Sequence, residues 1–82
     1  MTEDIFKTLG FECNYETPES SGTDHDWHYY SLDIGDVCLI TNPSDEAEKR
    51  GWEVYIFDSM DVVIKGEGDL TDLVRILKNN LK

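Results

Sequence analysis

The chain has 82 residues, of which 18 are acidic and seven are basic, so its formal net charge is −11. A chain of this length forms one domain, residues 1–82, with one modest core. Its apolar fraction of 39% argues against wholesale disorder. The negative charge repels a phosphate backbone, which disfavours direct binding of nucleic acid.

No apolar run approaches the roughly 20 residues that a membrane-spanning helix needs. The acidic start of the chain lacks the basic and apolar parts of a signal peptide. We therefore expect a cytoplasmic protein that does not engage a membrane. Cys13 and Cys38 are too few for a disulfide scaffold, and we expect both to be reduced, small, buried side chains.

The first predicted element is a short helix that begins after Thr2 as its cap and ends at Gly10. Residues 11–15 alternate between apolar and polar side chains, which is typical of an edge strand. The alternative for this segment is that it folds over one face of the sheet. Residues 17–26 are polar and rich in turn-forming side chains, and they predict a loop.

Residues 27–41 predict a β-hairpin, because two runs of β-prone side chains flank the turn signal Gly35-Asp36. A two-residue turn places Ile34 opposite Val37 and makes one face of the hairpin almost wholly apolar. Residues 42–51 then predict a surface loop or one exposed helical turn.

Residues 52–58 predict a third strand with apolar side chains on both faces, and residues 62–64 predict a short fourth strand after a turn at Ser59-Met60. The last helix is predicted to begin with Asp69 as its cap, and its apolar residues recur at helical spacing as far as Leu81.

The connections between the middle strands are too short for parallel crossovers. The sequence therefore predicts an α+β fold with an antiparallel meander of four strands, or of five if residues 11–15 pair as a strand. The N-terminal and C-terminal helices are expected to pack on one face of this sheet.

Candidate chemistry in the sequence is weak. His25 and His28 lie among acids and, with Cys13 and Cys38, supply the ligand types of a zinc site. Their spacing matches no zinc motif, and a strand sends residues three apart to opposite faces. No placed nucleophile and base and no glycine-rich phosphate loop is present. We therefore expect no metal, no cofactor and no enzymatic activity.

The net charge lies entirely in the middle of the chain, because residues 12–61 contain thirteen acids and two bases. This concentration predicts a non-enzymatic binding module that engages a protein with a basic surface. Aromatic residues of the strands are expected to contribute, since aromatics are frequent interface anchors. The predicted partner-binding residues are Trp27, Tyr29, Asp33, Asp36, Asp45, Glu46, Glu48, Tyr55, Asp58 and Asp61.

Three alternatives stay open on the sequence alone. The acidity keeps a small protein soluble without any further role. The acids imitate the phosphates of nucleic acid, which is typical of an inhibitor of a nucleic-acid-binding or defence protein. The aromatic face of the sheet joins copies of the chain in a self-associating structural domain. The sequence does not fix the oligomeric state.

Two stretches, YYSLDIGDVCLITN (residues 29–42) and WEVYIFDSMDVVIKGEGDLTDLVRILK (residues 52–78), resemble small acidic proteins encoded by phages and prophages. The resemblance covers about half of the chain and rests on strand and helix patterns, without a catalytic signature. It implies a mobile-element origin and favours an inhibitor of a host nuclease or defence system. It assigns no role to any single residue.

Overall fold

The computed structural model describes residues 1–16, 26–57 and 59–81, and of Met60 only the backbone. These residues form three helices and five strands, which gives an α+β fold. The bounds are α1 Glu3–Leu9, β1 Glu12–Glu16, β2 Trp27–Ile34, β3 Val37–Thr41, α2 Ser44–Arg50, β4 Val54–Ile56, β5 Ser59–Ile64 and α3 Glu67–Asn79. The predicted loop at residues 17–26, apart from its last residue, lies outside the described residues.

The five strands form one antiparallel sheet in which the spatial order β1-β2-β3-β4-β5 follows the order of the chain. The predicted meander is confirmed, with residues 12–16 as its fifth strand at one edge. The alternative that residues 11–15 fold over a face of the sheet is wrong, because β1 lies beside β2 and pairs with it along its whole length.

The turn at Gly35 and Asp36 closes the predicted hairpin and places Ile34 opposite Val37. Gly35 has a φ of +60°, a backbone conformation that glycine adopts without the steric cost of a side chain. Because successive side chains of a strand point to opposite faces, this register directs Leu32 and Ile34 to the same side of the sheet.

That side of the sheet packs against α1 and α3, as the sequence predicts. Phe6 of α1 lies at the centre of the core, with its ring centroid 5.0 Å from that of Tyr30 and 5.5 Å from that of Trp52. A helix as short as α1 does not persist in water by itself, so this docking holds it. The buried apolar side chains are Phe6, Phe11, Tyr30, Ile34, Leu39, Val54, Leu70 and Val74.

Hydrogen bonds also tie α1 to α3. The backbone N–H of Thr2 donates to Glu67 Oε1 at 3.0 Å, and Lys78 Nζ donates to the carbonyl of Leu9 at 3.2 Å. Thr2 precedes α1 as predicted, but its side chain makes no capping hydrogen bond. Gly10 ends the helix as predicted, in a left-handed conformation with a φ of +91°.

Residues 42–51, for which a loop or one helical turn is predicted, contain the seven-residue helix α2. Its first residue is Ser44, whose hydroxyl does not cap the helix. Instead, Ser44 Oγ accepts a hydrogen bond of 3.0 Å from the backbone N–H of His28. This bond fixes the start of α2 against the beginning of β2.

The buried side chain of Asn42 hydrogen bonds across the segment that contains α2 and so joins the two ends of that segment. Asn42 Oδ1 accepts a hydrogen bond from the backbone N–H of Glu53, and Asn42 Nδ2 donates to the carbonyl of Gly51, both at 3.0 Å. The backbone N–H of Asn42 also donates to the carbonyl of Glu53 at 3.1 Å. One amide therefore satisfies polar groups on both sides of the loop that returns to β4.

The predicted bounds of the third strand, the fourth strand and the last helix are wrong. The third strand is limited to Val54–Ile56, and β5 begins at Ser59 where a turn is predicted. Ile56 already pairs with Ser59, so the chain reverses within the predicted strand, and the register of β4 and β5 shifts between Tyr55 and Ile56. The last helix begins at Glu67, ahead of the predicted cap Asp69. Burial of Leu70 in the core favours this earlier start, although Gly68 within the first turn opposes it by roughly 1 kcal/mol.

We expect Asn42→Ala to lower the free energy of unfolding by about 1–3 kcal/mol, because it leaves the buried N–H of Glu53 without its acceptor. Urea unfolding followed by tryptophan fluorescence measures this change. The matched control is Asn79→Ala, which truncates the same side chain at an exposed position of α3.

The control is expected to change the free energy of unfolding by less than about 0.5 kcal/mol. Equal losses in the two variants would contradict a structural role for the buried amide.

Candidate functional site

The face of the sheet opposite α1 and α3, here called the open face, carries the aromatic residues that the sequence predicts for binding. Trp27 and Tyr29 share this face on β2, with ring centroids 5.7 Å apart. Ile40 of β3 pairs with Tyr55 of β4, so these two side chains continue the same face. Among the described residues, no helix covers it.

These aromatic side chains are half-buried rather than free in solvent. Phe57 follows β4, and its backbone N–H donates to the carbonyl of Cys38 on β3. Its side chain is 58% exposed. The open face therefore presents a continuous apolar strip from Trp27 towards Phe57 with one strongly exposed aromatic ring.

Acidic side chains flank the strip on the side of β1 and β2. Glu12 pairs with Ser31 across the two strands, and directly opposite residues share a face. Asn14 Nδ2 donates to Ser31 Oγ at 2.9 Å, which confirms that the polar side chains of β1 point to this side. Glu12 and Asp33 are both exposed.

The other side of the open face carries a carboxylate that is already paired. The hydroxyl of Tyr55 donates to Glu53 Oε1 at 3.0 Å. Burial is the main reason that the pKa of Tyr55 is raised, and the hydrogen bond to the Glu53 carboxylate adds to the effect. Arg50 Nη2 and Lys65 Nζ each lie 3.6 Å from an oxygen of Glu53. Glu53 is therefore paired with two basic side chains, whereas the acids Glu12 and Asp33 of β1 and β2 are exposed on this face.

Most of the remaining predicted acids lie off the strands of this face. Asp36 lies in the turn between β2 and β3, whereas Asp61 is exposed on the edge strand β5, two residues before Val63, the partner of Tyr55. Asp45, Glu46 and Glu48 lie on α2, which follows the opposite end of β3, roughly 13 Å from the turn at the rise per residue of a strand. Asp58 lies outside the described residues. The acidic middle of the chain is thus distributed over several surfaces.

A second cluster, which the sequence does not predict, surrounds His28 on the helix side of the sheet. The Nε2 of His28 donates to Glu3 Oε1 at 2.5 Å, and the hydroxyl of Tyr30 donates to the same oxygen at 2.9 Å. The rings of Tyr15, Tyr30 and Trp52 lie within 5.9 Å of the imidazole, measured between centroids. The cluster joins the first turn of α1 to β2.

The electrostatics of this cluster follow from its hydrogen bonds. The pKa of Glu3 lies below its ordinary value, because His28 donates a hydrogen bond to the carboxylate; partial burial opposes this effect, and Tyr30 adds to it. Burial and the adjacent Glu3 carboxylate raise the pKa of Tyr30. Glu3 is therefore ionised at neutral pH and Tyr30 is a neutral hydrogen-bond donor.

The alternation of side chains along β2 is the sequence feature from which part of this cluster could have been predicted. His28 precedes Tyr30 by two residues, so both point to the helix side. Glu3 precedes the core residue Phe6 by three residues, so both lie on one side of α1. His28 lies on β2 within the predicted hairpin, and its side chain is half-buried. His25, the other histidine considered for a metal site, lies outside the described residues.

The two cysteines form no disulfide, and both are half-buried rather than fully buried as predicted. Cys13 hydrogen bonds to Tyr15 and thereby raises the pKa of that exposed phenol. Within residues 1–16, 26–57 and 59–81, no three His, Cys, Asp or Glu side chains are grouped so that they could hold a metal ion. None of the helices in these ranges is long and apolar enough to cross a membrane.

No family model, curated protein or solved structure matches the chain. The resemblance to phage-encoded proteins therefore stays a prediction, and a functional proposal rests mainly on the geometry of this chain.

We expect the stability advantage of the wild type over Glu3→Gln to shrink as the pH falls. A carboxyl whose pKa is lowered in the folded state stabilises that state above its unfolded pKa, and the contribution is lost as the pH falls through the folded pKa. The difference should be full at pH 7 and decline below about pH 4. Urea unfolding of both proteins between pH 7 and pH 3 measures it.

The control repeats the comparison in a His28→Ala background, which removes the main cause of the lowered pKa. In that background, the effect of Glu3→Gln on the free energy of unfolding should depend less on pH. If the effect of Glu3→Gln on the free energy of unfolding stays constant from pH 7 to pH 3 in the wild-type background, the hydrogen bond between His28 and Glu3 does not lower the pKa of Glu3.

Proposed function

We propose that this protein is a small, non-enzymatic binding module that engages a basic surface of a protein partner in the cytoplasm. The proposed binding surface is the open face of the sheet. The observation that carries the proposal is the combination on this face of aromatic side chains, which the described helices leave uncovered, with the exposed acids Glu12 and Asp33 beside them.

The two kinds of side chain support different parts of binding. Trp27, Tyr29 and Tyr55 offer large apolar areas with few rotatable bonds, and aromatic residues of this kind frequently supply most of the binding energy. Their partial burial by strand neighbours limits the entropy that they lose on binding. Acids beside such anchors accelerate encounter with a basic surface and exclude acidic partners.

Charge also distinguishes a basic partner from a second copy of this chain. Two copies that met through their open faces would bring the acids of β1 and β2 together, each copy having a net charge of −11. Like charges at an interface oppose association unless salt screens them. Self-association through the aromatic strip is therefore the less favoured candidate.

The partner class is further limited by how the acids are distributed. Asp36 in the hairpin turn and the acids of α2 lie off the strands of the open face, so the arrangement of the acids does not favour close imitation of a phosphate backbone. A basic protein that binds one acidic face is the simpler target. The phage-like sequence resemblance favours a host nuclease or defence protein within that class.

We expect the double variant Glu12→Lys/Asp33→Lys to slow association with the partner about tenfold at 50 mM salt, because it replaces attraction by repulsion. Affinity capture from lysate followed by mass spectrometry identifies the partner, and surface plasmon resonance then measures the association rate. Raising the salt to 500 mM should slow the wild type to a similar degree, since salt screens exposed charges.

The matched control is Asp69→Lys/Asp72→Lys, which makes the same change in net charge on α3, on the other side of the sheet. This control should associate within about twofold of the wild type. Tyr29→Ala should mainly raise the dissociation rate, because it removes an anchor and no charge. The proposal would be contradicted if the association rate did not change with salt concentration. It would also be contradicted if Glu12→Lys/Asp33→Lys and Asp69→Lys/Asp72→Lys slowed association equally.

A further inference from the structure

A small pocket lies on the helix side of the sheet, away from the open face. It has a volume of about 150 Å³ and is lined by Glu3, His28, Ser44, Ala47, Glu48 and Trp52. Three different elements, α1, β2 and α2, together with the segment that leads into β4, contribute to it. The surface proposed for partner binding does not include this pocket.

Hydrogen bonds and ring packing hold the walls of the pocket in place. Ser44 Oγ is fixed by the backbone N–H of His28, and Glu3 is fixed by the side chain of His28. Trp52 packs against the ring of Phe6 at a centroid distance of 5.5 Å. Ser44, Ala47 and Glu48 follow one another at helical spacing, so α2 turns a single face to the pocket. The walls are thus preorganised.

The chemistry of the walls selects a cation. Glu3 and Glu48 are the charged side chains of α1 and α2 that line the pocket, and neither Lys49 nor Arg50 of α2 is among its lining residues. Within the part of the chain that the structure describes, the hydrogen bonds from His28 and Tyr30 to Glu3 both fall on Oε1. Trp52 adds an indole ring, the side chain that attracts cations most strongly through its π face.

The number of acceptors that line the pocket favours an ammonium group. An ammonium nitrogen carries three N–H donors. The carboxylates of Glu3 and Glu48 and the hydroxyl of Ser44 bring acceptors from two different helices to the pocket lining. A guanidinium, in contrast, prefers two parallel bonds to one carboxylate. A volume of about 150 Å³ holds roughly five groups of the size of water, which suits a short alkylammonium.

The geometry points to this pocket as a binding site for a primary alkylammonium group, the chemistry that a small free amine and a lysine side chain share. The site does not depend on the proposed function, because its residues lie on the opposite side of the sheet from Tyr29 and Asp33. Loss of amine binding and loss of partner binding are therefore separable results.

The test titrates ¹⁵N-labelled protein with propylammonium chloride and follows the Nε1–H signal of Trp52 by NMR at constant ionic strength. We expect saturable shifts with a Kd on the order of 1–10 mM, which is reasonable for a ligand of four heavy atoms. The neutral isostere 1-propanol should leave this signal unshifted. Equal shifts with 1-propanol would overturn the assignment of a cation site.

Two variants of α2 make the test specific. Glu48→Gln should raise the Kd about threefold or more, because it removes one charged acceptor. Glu46→Gln makes the same change on the same helix, but Glu46 binds Arg50 and does not line the pocket, so its Kd should match the wild type. Equal weakening in both variants, or no saturable shift in the wild type, would overturn the proposal.

A second ligand distinguishes the two sources of the ammonium group. N-acetyl-lysine methylamide presents the same group on a peptide backbone. Binding at least about threefold tighter than propylammonium would assign the pocket to a lysine side chain, and equal or weaker binding would assign it to a free amine. Failure of both ligands to bind would overturn the inference.

Discussion

The two-residue turn at Gly35-Asp36 is the constraint on which the rest of the molecule depends. Because side chains alternate along a strand, the register of this turn decides which residues of β2 face the helices and which face outward. A slip of one residue would bury Asp33 without a partner and expose Leu32 to water, at a cost of several kcal/mol. The core under α1 and α3 and the open face with its aromatic strip are therefore two consequences of one register.

Much of the fold can be predicted from the sequence because its signals are local. The hairpin, the short helix that ends at Gly10 and the amphipathic α3 each follow from residues close together in the chain. The errors arise where distant contacts decide. Asn42 shapes the loop around α2 through bonds to Gly51 and Glu53, and the start of α3 depends on how Leu70 enters the core. The local preferences of residues for helix or strand do not predict either of these contacts.

The candidate sites are less predictable than the fold, for a related reason. The aromatic residues of the open face could be anticipated, because they occupy alternate positions of predicted strands. The acids could not be assigned to one surface, since their position depends on how turns and α2 orient them in space. The cluster of Glu3, His28 and Tyr30 joins residues 25 to 27 positions apart in the chain. Finding it requires the packing of α1 on the sheet as well as the alternation.

The sequential order of the strands has a consequence for how the chain folds. Each strand pairs only with strands adjacent to it in the chain, so the sheet has a low contact order for a β structure, and such topologies fold quickly. Two hydrogen bonds join the ends of the chain: Lys78 donates to Leu9 across 69 residues, and Thr2 donates to Glu67 across 65. We therefore expect the meander to form first and the two ends of the chain to meet last, with the N-terminal helix as the final element to become protected from solvent exchange.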